Sequence, residues 1–344
     1  MTMTKPSIET IMGSAEWLPH RYDATRDCFH MVSVSRQRHR KMPFLTDQYL
    51  GEGVERRAVS RATAMIHAMP PAPIHFIFHS AFCCSTLLAS AFDLPGISMG
   101  LKEPVLFNDI IGWRHRGATG PQVAKVLDDG LALMARPFEQ GEAIIVKPSS
   151  IANPMIPALM ALRPQSRAVL LHAPLADYLT SIARKGMEGR LWVRDLLKKL
   201  LREGMIDLGI APADYLGLTD IQVAAIGWLA QHMQFQKLAG ALGDRVVTLN
   251  SDMFIAKPSE SLGQLARHFD LDTHMERISA VASTDLFNHN SKNGEAFTAV
   301  NRTEAAAMGR SIHAEEIDKV EQWARVIATN RTIAMELPNP LLRS

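Results

Sequence analysis

The chain has 344 residues, 47% of them hydrophobic and 21% charged, an ordinary globular balance for one large domain or two small ones. A formal net charge of +2 is too weak to imply nucleic acid, and neither an apolar run of transmembrane length nor a leader-like N-terminus is evident. Three cysteines, two of them adjacent, make no disulfide framework, so a cytoplasmic protein without nucleic-acid or membrane partners is expected.

Residues 1–45 are polar with scattered aromatics, and 28–35 alternate like a short strand. The run Arg36-Gln37-Arg38-His39-Arg40-Lys41-Met42 follows as a basic patch, read as a solvated face. Residues 53–69 look helical and stop at Pro70-Pro71-Ala72-Pro73. Strands and helices then alternate: strand 74–78, helix 85–92, strand 97–101, helix 121–134, strand 143–146, helix 156–162, strand 167–172, helix 174–181, helix 221–242 and strand 245–250. Short apolar strands alternating with helices imply a three-layer α/β/α fold around a central parallel sheet, with ligands at the carboxyl ends of the strands. Residues 185–220 read as a helical insertion or cap. The C-terminal part reads as helical, with a polar loop at 287–300. The expected organisation is one domain over 1–344: an N-terminal extension 1–70, an α/β core 71–255 and a helical part 256–344.

The stretch after the first core strand carries the most chemistry. Residues 79–84, His79-Ser80-Ala81-Phe82-Cys83-Cys84, form a tight loop, and Ser85 and Thr86 open an apolar, helix-periodic run. A strand turning through small residues into a helix directs backbone N–H groups at one spot, which favours a phosphate or sulfate. The nucleotide-binding fingerprint GxxxxGK[ST] would place glycine at 79 and 84 and lysine at 85, and only Thr86 fits it. The loop is thus P-loop-like without the lysine of an ordinary ATPase or GTPase; an ordinary β-α turn with Ser85 as N-cap is the plainer reading.

Further strand ends carry polar residues. Glu103, in Lys102-Glu103-Pro104, has the chemistry of a general base, or else of a surface ion pair. Lys147, in Lys147-Pro148-Ser149, could neutralise a leaving phosphate, or be a solvated lysine. Thr180, Ser181 and Arg184 could hold a second phosphate, or be helix-surface polarity. Cys83 and Cys84 read as small reduced thiols in glycine-like space, with a thiol enzyme using His79 as the rival. His75 and His79 have HxxxH spacing but lie along a strand, and no CxxC accompanies them, so no metal is expected.

These residues resemble the sulfotransferases that use 3′-phosphoadenosine 5′-phosphosulfate (PAPS), most of all the bacterial members and the tyrosylprotein branch. Residues 76–93, FIFHSAFCCSTLLASAFD, are similar to the 5′-phosphosulfate loop. Glu103-Pro104 resembles the branch's glutamate base, and Lys147-Pro148-Ser149 its Lys-Asp/Thr-Pro element. Residues 244–271, DRVVTLNSDMFIAKPSESLGQLARHFDL, resemble the family's late strand, acidic-aromatic turn and "P-x-x-x-L" helix. The ordered set spans 74–271. It departs from the family in having Phe82 where lysine or arginine is usual and Cys84 where glycine is usual. The 3′-phosphate arginine is also missing: aligning on Thr180 puts His172 at its position, and aligning on Ser181 puts Ala173 there.

The resemblance implies transfer of a sulfuryl group from PAPS to a hydroxyl or amine of a small-molecule acceptor, without metal. Glu103 and Lys147 would be catalytic, and residues 79–86 with Thr180, Ser181, Arg184 and Lys292 would bind the cofactor. Trp113, Trp192 and Tyr178 are expected near the acceptor pocket, lined by 104–120 and 185–220. A homo-oligomer stays open. The alternative is a divergent P-loop-like nucleotide-binding protein, either a small-molecule kinase or a non-catalytic module.

Overall fold

The computed structural model describes residues 6–288 and 299–342, with 212, 272 and 299–311 described as backbone alone. The chain forms two compact units, one of residues up to 77 with 86–167, the other of 78–85 with 168 onward.

The first unit contains α1 (Ile8–Met12), β1 (Trp17–Asp23), β2 (Cys28–Ser33), α2 (Arg36–Lys41), α3 (Asp47–Leu50), β3 (Arg56–Ser60), α4 (Arg61–Ile66) and most of β4 (Ile74–His79). It continues with α5 (Ser85–Ala91), β5 (Ser98–Lys102), α6 (Leu106–His115), α7 (Gly120–Met134), β6 (Ala143–Lys147) and α8 (Ile156–Leu162). The strands β1, β2 and β3 make an antiparallel meander in that order. Its first hairpin turns over residues 24–27, where Asp23 Oδ1 accepts the N–H groups of Thr25 (2.8 Å) and Arg26 (3.2 Å), a local turn device of aspartate.

Two stretches of the first unit depart from the expected elements, and the basic patch gains a fold. Residues 53–69 are not one helix: Arg56–Ser60 pair with β2, burying Val59, and the helix starts at Arg61 behind the Ser60 cap. Pairing on one edge overrides a pattern that suits a helix equally well. The basic patch is helix α2, and its Gln37, Arg38, Arg40 and Lys41 are exposed as expected of a solvated face, while the other side of the helix is engaged. Its Arg36 reaches the buried Glu142 at 2.6 Å, Arg40 Nε donates to Asp93 O, and His39 is buried. Within 104–120, the stretch expected as a loop lining an acceptor pocket, residues 106–115 form α6, which buries Leu106, Phe107, Ile110 and Ile111 at helical spacing.

The second unit contains β7 (Ala168–His172), α9 (Leu175–Arg184), α10 (Gly186–Arg202), α11 (Asp220–Leu242), β8 (Val246–Asn250), α12 (Ser251–Ala256), α13 (Pro258–His268), α14 (Met275–Ala280) and α15 (Ala299–Asn330). Helix α11 is entered through a capping box, in which Thr219 Oγ1 accepts from Gln222 N and Gln222 Oε1 from Thr219 N. Helix α10 fills the region expected as a helical insertion and buries Val193, Leu196, Leu197 and Leu200. Residues 339–341 run along the outer edge of β8, with Thr248 N donating to Asn339 O and Leu341 N to Thr248 O. That covers an edge otherwise open to foreign strands.

The expected parallel sheet is present, in the order β5-β6-β4-β7-β8. Ser98 to Lys102 pair with Ala143 to Lys147, Ile74 with Ile144, and Ala168 to His172 with Val246 to Asn250. Every residue of β4, β5, β6 and β7 is buried, as for strands covered on both faces. The chain leaves β4 towards one side of the sheet and, after β6, continues on the other. The carboxyl end of β4 is therefore the switch point, where open α/β sheets hold their ligands.

Candidate functional site

In the first unit, β5 and β6 end side by side, with Lys102 and Lys147 in register. Glu103 follows at φ +53, a left-handed conformation costly for a side chain with a Cβ, and its N–H donates to Lys147 O at 2.7 Å. That bond holds the turn so that Lys147 Nζ donates to Glu103 Oε1. Lys147 is buried and its Nζ lies 5.0 Å from the Phe44 ring centre, a favourable place for a cation. The Glu103 side chain keeps 21% exposure against 1% for Lys147. A carboxylate held by a buried ammonium, yet open on one side, can accept a proton from an incoming group. The two residues expected as catalytic from the sequence are thus brought into contact.

Lys102, at the matching position of β5, is engaged elsewhere. Its Nζ donates to Arg40 O at 2.8 Å and lies 3.8 Å from Asp93. Burial pulls its pKa down to about 8, against the raising effect of Asp93. It supports the strand end and does not join Glu103.

In the second unit, the loop after β4 is built from strained backbone. Ala81, Phe82 and Cys84 have φ of +69, +50 and +65, each a cost of about 1–3 kcal/mol for a non-glycine residue. Such residues bend successive N–H groups towards a common point. Two of those groups are already engaged, Ser80 N with Leu171 O and Ala81 N with His79 Nδ1, both at 3.1 Å. Ser80 Oγ is buried without a hydrogen-bond partner, and a buried orphan hydroxyl is where a ligand oxygen would be expected. Cys83 Sγ donates to Leu171 O at 3.5 Å, Cys84 is half-buried, and Ser85 and Thr86 are buried. Phe82, in place of a basic residue, packs edge-on against Tyr178 and Trp192, at 5.8 and 5.1 Å between ring centres.

Helix α9 carries the residues expected to hold a second phosphate. Thr180 is buried and its hydroxyl donates to Ala176 O at 2.7 Å, whereas Ser181 is half-buried and Arg184 exposed. Lys292 lies outside the described residues. Of the three aromatics expected near an acceptor, Tyr178 and Trp192 meet on Phe82, while Trp113 packs on Tyr22 in the N-terminal part, 5.6 Å away. At the position of the missing arginine, His172 is buried with its ring 5.0 Å from that of His232, which stacks on Trp228 at 3.5 Å. Burial lowers the His172 pKa to about 4 and that of His232 well below the usual value. Pattern reading missed this cluster because His232 and Trp228, four apart, look like ordinary core positions of a long helix.

No family model matches the sequence, and no curated protein is similar to it. Among solved structures, that of a sulfotransferase from Mycobacterium avium, STF9, is similar over 73% of this chain and 77% of its own. The TM-score is 0.40 and the identity 12%. A likeness so slight bears neither on the site nor on the reaction. Among the described residues no helix is long and apolar enough to cross a membrane.

Proposed function

We propose that the protein is a sulfotransferase that moves a sulfuryl group from PAPS to a hydroxyl or amine of a small-molecule acceptor. The observation that carries this reading is the Glu103–Lys147 contact, a partly open carboxylate on a buried lysine at the ends of neighbouring parallel strands. The bound donor would supply the sulfuryl group and leave as adenosine 3′,5′-bisphosphate.

In this reading Glu103 accepts the acceptor's proton as the new O–S or N–S bond forms and the S–O bond to the 5′-phosphate breaks. Protonation of Glu103 removes the negative partner of Lys147, so the ammonium can compensate the charge arising on the leaving phosphate. Away from bulk water such compensation is worth more than in solution. The residues fit the donor's 5′ end, where the left-handed loop and the orphan Ser80 Oγ are suited to sulfate or phosphate oxygens; Ser85 and Thr86 would add hydroxyls. The 3′-phosphate is assigned to Ser181, Arg184 and Lys292, with Thr180 kept to its helix bond. This reading carries a cytoplasmic setting with it. A kinase reading is disfavoured because the loop offers buried Ser85 where a phosphate-binding lysine would stand.

Sulfate transfer from PAPS to a panel of phenols, alcohols and amines, without added magnesium, tests the assignment. Wild type transfers label. Glu103→Gln loses about 10²–10⁴ in turnover, the usual worth of a general base, while still binding adenosine 3′,5′-bisphosphate. Unchanged turnover in Glu103→Gln would remove Glu103 from the chemistry.

A further inference from the structure

The N-terminal hairpin gathers a donor set that sulfuryl transfer does not use. Asp23 and Cys28 are direct cross-strand partners at the end of the β1–β2 ladder, a relation that brings side chains close. His30 lies two residues beyond Cys28 and so on the same face of β2. The Cys28 sulfur, a carboxylate oxygen of Asp23 and a ring nitrogen of His30 all lie within 4.8 Å of one another. Beside them is a cavity of about 410 Å³ whose walls include Asp23, His30, Thr25 and Arg116.

We propose that Asp23, Cys28 and His30 form a zinc site with three protein donors and a fourth position reached from this cavity. Sulfur, imidazole nitrogen and carboxylate oxygen are the donor types zinc takes, and three of them with one open position is its reactive arrangement. A thiolate among the donors sets the site apart from the all-oxygen sites of magnesium and calcium. Tetrahedral zinc at bond lengths of about 2.0–2.3 Å holds its donor atoms roughly 3.3–3.6 Å apart, so small side-chain rotations complete the site.

The hairpin is built to hold it. Asp23 Oδ1 is fixed by two turn N–H groups, the kind of outer contact that orients a ligand carboxylate. Cys28 is buried, and as its sulfur bonds the metal the thiol proton passes to solvent. One thiolate and one carboxylate then balance the two positive charges of the ion. The neighbouring cations do not occupy the position: Arg21 is held by Asp47 and Asp109, and Arg26, 3.9 Å from Asp23, has a 78% exposed side chain. The expectation of no metal rested on HxxxH and CxxC spacing. The pattern Asp-x4-Cys-x-His becomes a cluster only when a hairpin closes it.

The test uses the full chain, stripped with a chelator and titrated with Co²⁺ as a spectroscopic stand-in for Zn²⁺. The expected result is one Co²⁺ per chain with a sulfur-to-cobalt charge-transfer band, displaced by one equivalent of Zn²⁺. Cys28→Ser abolishes the band and Cys83→Ser leaves it. No band at one equivalent, or a band that survives Cys28→Ser, overturns the proposal. Should Cys28→Ser fail to fold, His30→Ala decides the matter. Cobalt affinity at least about tenfold weaker supports the site, and unchanged affinity refutes it.

Discussion

Glu103 combines three properties that a surface ion pair does not need. It is left-handed, it is clamped by its own N–H to the neighbouring strand end, and its carboxylate meets a lysine that is itself buried. Removing one partner would leave the other's charge buried or half-buried and uncompensated, so loss of the pair is costly. Cys84 shows the complementary case of a side chain where glycine is natural. At φ +65, Cys84→Gly relieves strain while loosening the unfolded chain, two effects of about 1 kcal/mol each and opposite sign. Its stability in urea should therefore stay within about 1 kcal/mol of wild type, whereas Cys84→Val, β-branched in a left-handed turn, should lose about 1–3 kcal/mol. A large loss in Cys84→Gly would mean that the thiol does more than fill space. Glu103, Lys147 and the loop were legible because each follows directly on an apolar strand. Phe44 beneath Lys147 was not, because it reaches that lysine from more than a hundred residues away and carries no local signal.

At the scale of elements, the core strands and most helices could be read to within a few residues, since a buried parallel strand is a continuous apolar run bounded by turn residues. The N-terminal meander was only partly legible. Strand β1 has no alternation to announce it, with its first four residues all buried, and β3 is an edge strand whose pattern also suits a helix. The end of β7 yields a test of the buried histidine cluster. His172 is held neutral by burial, with a folded pKa of about 4 against 6.5 for the free side chain, and His232 is depressed likewise. Between those values the unfolded chain binds the extra proton, so this contribution to stability is complete above pH 6.5 and is lost as pH falls towards 4. Urea midpoints measured across that range should fall steeply in wild type and less steeply in His172→Phe. Parallel curves for the two proteins would show that His172 can be protonated without loss of the fold.

At the scale of the whole molecule, the sheet order sets the reaction reading. Strand β4 is central, β5 and β6 lie on one side of it and β7 and β8 on the other, so the loop after β4 stands at the switch point of a parallel sheet. Alternation of strands and helices made the layered fold legible, but the strand order was not, because crossovers of similar length allow several orders. The central claim is that this switch point holds an adenosine 3′,5′-bisphosphate group and not a nucleoside triphosphate with magnesium. Calorimetric titration of the full chain with adenosine 3′,5′-bisphosphate, and separately with ATP and magnesium, asks this directly. The account predicts micromolar binding of the first and weak binding of the second. The reverse preference, or binding of neither, would contradict it.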